Sequence, residues 1–199
     1  MNVKDNAMPG VETKVRKTLK NLLTNPDFLE RVPTTEHGAG AVGTAMAPKT
    51  LRGTMNNTIV TEIHVDLTGL YITGTTTKTA IGLEAGGAAY IGEYDVAKYG
   101  VVYRIEIICL ETPAGGDTCT ADLSLGAEDV GTNEVGGAVD DTVLNTAGAA
   151  VGCTYITNTP GLTADDYFYI TEGADAAADT GTYTAGQLLF RFYGHAVLA

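Results

Sequence analysis

Paired carboxylates are the densest clusters of reactive side chains in this chain of 199 residues. The pairs are Glu128-Asp129, Asp140-Asp141 and Asp165-Asp166. Two carboxylates held across a cleft can hydrolyse glycosides, and carboxylate oxygens in loops can bind calcium. None of the pairs fits the D-x-[DN]-x-[DN]-G calcium loop, and a chain without tryptophan offers few aromatic platforms for a sugar. Solvated loop charge is the favoured interpretation, followed by calcium and then by catalysis.

The other residue types that perform chemistry lack the necessary spacing. His37, His64 and His195 are far apart in sequence and form no metal-binding pair. The single serine, Ser124, is not in a G-x-S-x-G motif. We therefore predict no catalytic residue, no metal site and a protein that is not an enzyme.

The cysteines and a glycine motif lead to the same conclusion. Cys109, Cys119 and Cys153 are odd in number and show no C-x-x-C spacing, which predicts reduced thiols. Residues 38–43 match the dinucleotide motif G-x-G-x-x-G, but that motif requires a strand before it and a helix after it. The flanking residues predict neither element, so we expect no cofactor.

Charge divides the chain into two unlike parts. Residues 1–52 hold eight of the twelve Lys/Arg and five of the twenty-four Asp/Glu, formally +3, whereas residues 53–199 are formally −15. An acidic body disfavours nucleic acid, because duplex binding depends on neutralising phosphates. No apolar run is long enough for a membrane helix or a signal peptide. We therefore expect neither nucleic acid nor membrane as a partner, and synthesis in a cytoplasm.

The N-terminal part predicts a basic arm, residues 1–33, with an amphipathic helix. Its apolar stripe and its basic side together form the predicted partner-binding set: Val11, Lys14, Val15, Arg16, Lys17, Leu19, Lys20 and Leu22. Residues 26–31 predict one further helical turn. A helix this short requires a surface to dock on, either its own body or another subunit.

Two further domains follow the arm. Residues 34–56 lack any period and predict an extended Gly/Ala-rich linker. Residues 57–199 predict an acidic β-domain, because apolar residues there recur with a period of two.

Several segments of this domain predict strands. The strongest are 59–67, 101–110 and 186–197, and the last places Leu188, Phe190 and Phe192 on one face. That strand could close the core or form an exposed edge. Residues 101–110 and 121–125 predict a hairpin around a turn at 113–116. Shorter candidates are 78–83, 88–91, 139–144, 153–157 and 167–171. The predicted class is all-β, a β-sandwich of jelly-roll-like type with an N-terminal helical or extended arm.

This layout resembles the virion structural proteins of tailed bacteriophages. The resemblance rests on the arm, the linker, the acidic Thr/Gly-rich β-domain and the closing run 183–195, and it is strongest to capsid decoration (cement) proteins. It implies a β-domain on the capsid exterior, an arm that holds the major capsid protein or another shell protein, and a homo-oligomer, with a trimer as the expected form. The chain is longer than the best-known decoration proteins, so a fibre base, a neck component and a capsomer protein remain open.

A receptor- or glycan-binding module of a virion fibre or neck is the alternative function. Such a module uses the same sandwich but requires an exposed aromatic cluster. The one candidate is Tyr167-Phe168-Tyr169, whose alternation is also explained by a half-buried strand.

Overall fold

A computed structural model describes most of the β-domain and part of the segment before it. The described residues are 30–31, 37–43, 47–55, 57–73, 80–82, 89–115, 122–126, 141–144, 152, 154–158, 160–164, 166–171 and 180–197. The predicted arm helix with all eight partner-binding residues lies outside them, as do Glu128-Asp129, Asp140, Asp165, Cys119 and Cys153.

Eleven strands lie in the described part of the chain. They are β1 (Glu30–Arg31), β2 (Lys49–Met55), β3 (Thr58–Asp66), β4 (Tyr71–Thr73), β5 (Tyr90–Glu93), β6 (Val101–Gly115), β7 (Asp122–Gly126), β8 (Asp141–Leu144), β9 (Thr154–Thr157), β10 (Tyr167–Thr171) and β11 (Thr180–His195). A 3-10 turn, Ala39–Ala41, precedes β2, and a one-turn helix, Val96–Tyr99, precedes β6.

The strands form two antiparallel sheets. The large sheet has the order β1-β2-β3-β11-β6-β9, with β4 paired to the first residues of β11. The small sheet has the order β5-β10-β7-β8. The predicted all-β class is confirmed. The jelly-roll type stays a prediction.

Side-chain alternation in β3 and β11 separates the two faces of the large sheet, as the sequence predicted. Ile63 and Val65 are buried, whereas Glu62 and His64 between them are partly exposed. Leu188, Phe190 and Phe192 are each at most 1% exposed. Because β11 pairs with β3 on one side and β6 on the other, it closes the core and is not an edge.

Aromatic rings join the two sheets. Phe168 of the small sheet lies 4.6 Å from Phe192 of the large sheet, measured between ring centroids. Tyr99 packs edge-on against both rings, at 5.6 and 5.4 Å. Arg52 places its guanidinium 4.8 Å from the centre of the Tyr99 ring. The aliphatic side chains of both sheets surround these rings in one core.

The predicted linker is wrong for much of its length, because β2 lies within residues 34–56. In β2, Thr50 and Arg52 face the core opposite Ile63 and Thr61. Because polar residues occupy the inward positions of β2, its sequence lacks the alternation of apolar and polar residues that indicates a strand. The glycine-rich part also packs on the domain: a Cβ at Gly43 would lie 2.5 Å from the carbonyl oxygen of Thr68.

The predicted helical turn at residues 26–31 is wrong at its end. Glu30 and Arg31 form β1 and pair antiparallel with Arg52 and Leu51. The edge of β2 offers backbone donors and acceptors, which favour an added strand over a marginal short helix.

The predicted hairpin between 101–110 and 121–125 is also wrong. Strand β6 continues through Pro113 to Gly115 and pairs with β11, whereas β7 pairs with β10 and β8 in the other sheet. A bulge in β6 accommodates the proline, and Gly186 opposite it on β11 adopts φ +134°. Within 78–83, the described residues contain a single bridge, Ala80 to Thr171, and a turn.

Candidate functional site

The outer face of the large sheet carries a row of charged residues across its central strands. Strand register places Glu62, Arg191 and Glu106 side by side on β3, β11 and β6. Leu51 on β2 and Ile156 on β9 flank these three charged residues. The row alternates negative, positive and negative charge, which is the favourable order for neighbours on one face.

Arg191 is the centre of this charged row. Its Nε donates to Glu62 Oε1 at 2.6 Å, and its Nη1 donates to Glu106 Oε2 at 3.4 Å. The Tyr193 hydroxyl donates to the same Glu106 oxygen at 3.1 Å. Arg104 forms an ion pair with Glu106 and lies 5.6 Å from the centre of the Tyr193 ring.

The row is shielded from solvent although it lies on an outer face. The side chains of Glu106 and Glu62 are 8% and 12% exposed. Partial burial would lower the pKa of Arg191, but the hydrogen bonds and charge of Glu62 and Tyr193 outweigh it, so the pKa is raised. Burial also raises the pKa of Tyr193. Arg191 therefore carries its charge at neutral pH, and the Tyr193 hydroxyl keeps the proton that it donates to Glu106.

A groove of about 400 Å³ lies beside the charged row. Its lining residues come from β2, β3, β6 and β11: Lys49, Leu51, His64, Val65, Asp66, Leu110, Gln187 and Leu188. Four of these are aliphatic, and Leu110 is 44% exposed. Polar side chains stand among them, including His64, whose Nε2 lies 3.7 Å from Glu62 Oε2. An apolar surface with polar side chains around it suits an amphipathic partner better than a catalytic reaction.

The three histidines occupy separate environments. His64 lines the groove, and His195 stacks on Tyr103 with ring centroids 4.4 Å apart. Burial lowers the pKa of His37, which is outside both places. Within the ranges that the structure describes, no group of three or more His, Cys, Asp or Glu could hold a metal ion.

The remaining candidates from the sequence have structural explanations. Cys109 is buried, and its thiol donates to the Glu111 carbonyl at 3.3 Å. The Asp166 carboxylate accepts the Thr163 backbone N–H at 2.7 Å and stabilises the approach to β10. Among residues 38–43, Ala39–Ala41 is a 3-10 turn, which is not the helix N-terminus that a dinucleotide requires.

The aromatic run on β10 is buried. Phe168 and Tyr169 are 0% exposed, and Tyr167 packs edge-on against Tyr90 at 4.8 Å. Both faces of this strand therefore pack against other residues, and the run does not form the exposed platform that a glycan-binding module requires.

Sequence reasoning missed both the charged row and the groove. The sequence does place all three charged residues, Glu62, Glu106 and Arg191, at outward positions of predicted strands. Charged residues at outward strand positions were the feature that could have indicated the row. The register between strands from distant parts of the chain brings these residues together, and the sequence pattern does not contain it.

No protein-family model, curated protein or solved structure matches the chain. In the described part of the chain, no helix is both long enough and apolar enough to span a membrane.

Proposed function

We propose that the chain is a non-enzymatic virion structural protein that decorates the capsid shell of a tailed bacteriophage. The basic arm binds the major capsid protein or another shell protein, and the acidic β-domain faces solvent on the capsid exterior. Oligomerisation, with a trimer as the expected form, presents several arms to the shell.

The observation that carries this proposal is the position of β1. Its pairing with Leu51 and Arg52 fixes the start of the domain at one edge of the large sheet. The 29 residues before Glu30 therefore begin at a single defined point on the domain. This arrangement suits an arm that binds the shell and connects it to the folded β-domain.

Charge supports the same division of roles. Residues 1–29 contain five Lys/Arg and three Asp/Glu, formally +2, and residues 30–199 are formally −14. An acidic shell surface would attract the arm and repel the domain, which favours attachment with the domain outward.

The test is co-sedimentation with shells assembled from the major capsid protein of the same phage. A variant lacking residues 1–29 retains β1, so the domain should fold while binding is lost. We expect attachment to weaken as salt rises, because screening shortens the reach of charge interactions to about 10 Å at 0.1 M. Full binding by the truncated protein would contradict the proposal.

A pair of substitutions on opposite sides of the predicted helix provides the matched control. Leu19→Asp places a charge on the apolar stripe, and Thr13→Asp adds the same charge on the polar side. Shell binding should fall at least about tenfold in Leu19→Asp, since a buried unpaired carboxylate is strongly unfavourable. An equal loss in both variants would mean that net charge alone governs attachment.

A further inference from the structure

The groove on the outer face of the large sheet is accessible and has a length that can be compared with the arm. Its lining residues extend from Lys49 on β2 to Leu110 on β6. These strands are three spacings apart, about 14 Å. The apolar stripe from Val11 to Leu22 spans twelve residues, about 17 Å as a helix. The stripe and the groove are therefore similar in length.

The chain enters the domain close to this groove. Glu30 pairs with Arg52, and Arg52 pairs with Thr61, three residues before His64. Two strand spacings and three residues along β3 separate Glu30 from His64, about 14 Å in all. Seven residues join Leu22 to Glu30 and can extend to about 25 Å. The stripe can therefore reach the groove of its own chain.

Apolar surface and charge are complementary between the two. Leu51 and Leu110 offer aliphatic contacts to the Val and Leu residues of the stripe. Asp66 and Glu111 flank Gln187 in the strand register at one end of the groove. Four basic residues accompany the stripe on the other side of the predicted helix. Carboxylates beside the groove would attract them.

We propose that, in the free protein, residues 11–22 dock in the groove of the same chain. A short linker produces an effective concentration in the millimolar range, so the intramolecular contact prevails over contact with a second copy in dilute solution. The proposal concerns the free protein, and its test does not involve a shell.

Limited trypsin digestion of the full-length protein tests the docking. Lys14, Arg16, Lys17 and Lys20 are cleavage sites within the docked segment. Cleavage there should be slow in the wild type and at least about tenfold faster in Leu110→Asp, because cleavage follows the population of the open form. Val101→Asp is the matched control: it alters an exposed residue of the same strand that does not line the groove.

A second groove variant keeps the test valid if Leu110→Asp fails to fold. Gln187→Lys changes an exposed polar residue and adds a charge that repels the basic arm, so it should also accelerate cleavage at the four arm sites, which is measured separately from cleavage at the new lysine. Equal cleavage rates in the wild type and both groove variants would overturn the proposal. Protection that disappears on dilution would also overturn it, because the docking would then involve a second copy.

Discussion

Phe190 and Arg191 are neighbours in β11, yet they belong to opposite faces of the large sheet with different physical characters. Phe190 is fully buried between the sheets. Arg191 lies on the outer face, where it connects Glu62 and Glu106. The inner face is stabilised by removing apolar surface from water, and the outer face by matching each charge to a partner. One strand therefore contributes to the apolar core with one face and to a charged outer surface with the other.

The two faces also differ in how much side-chain surface they expose. The inner face is closed, because Phe168 and Phe192 fill the space between the sheets. The outer face keeps the groove and partly exposed side chains such as Leu110 and Ile156. Substitutions on the inner face should therefore change stability through packing, and those on the outer face through individual ion pairs and hydrogen bonds.

Phe190→Ala should have the largest effect. Removal of a fully buried ring leaves a cavity and should decrease the free energy of unfolding by about 3–5 kcal/mol, measured by urea denaturation. Val101→Ala, on an exposed side chain, is the control and should change it by less than about 0.5 kcal/mol. A stable Phe190→Ala domain with altered self-association would mean that this face is an interface between copies.

Arg191→Met should have an intermediate effect. It leaves Glu62 without its arginine and Glu106 with Arg104 alone, and because Arg191 is 28% exposed we expect a loss of about 1–3 kcal/mol. Adding Glu62→Gln removes the uncompensated charge and should recover part of that loss. Losses in the Arg191→Met and Glu62→Gln single variants that add up to the loss in the double variant would show that the two residues are not coupled.

Tyr193→Phe should have the smallest effect, about 0.5–1.5 kcal/mol, because it removes one hydrogen bond to Glu106. The pKa of Tyr193 is raised in the folded protein, so above pH 10 the unfolded chain loses this proton first. The stability contribution is complete below about pH 10 and disappears as pH rises through the folded pKa. The difference between wild type and variant, measured from pH 8 to 11, should shrink at high pH. A constant difference would contradict the assignment.

Strands with strict alternation could be predicted from the sequence. Phe190 and Phe192 identified β11, and Ile63 and Val65 identified β3, because inward apolar residues leave a period of two. Strand β2 was missed, since Thr50 and Arg52 occupy its inward positions. Its arginine is nevertheless well placed, because the guanidinium lies over the Tyr99 ring and Nε donates to Thr61 Oγ1 at 3.1 Å.

Strand partners could not be predicted in the same way. The alternation in 101–110 and 121–125 shows two strands but does not show that they belong to different sheets. The charged row depends on the same missing information, because Glu62 and Arg191 are 129 residues apart in sequence. Only the register of β3, β11 and β6 brings their side chains together.

The central position of β11 also determines when the fold can form. Strands β3 and β6 are not direct neighbours, and each pairs with β11. The pairing of Asp66 with Gln187 spans 121 residues, so closing the large sheet requires a long loop to form before its contacts are gained. During synthesis, the edges of β3 and β6 that pair with β11 stay unpaired until the ribosome has released residues 180–195. The domain should therefore fold slowly and after translation of β11, which makes the nascent chain dependent on protection from aggregation.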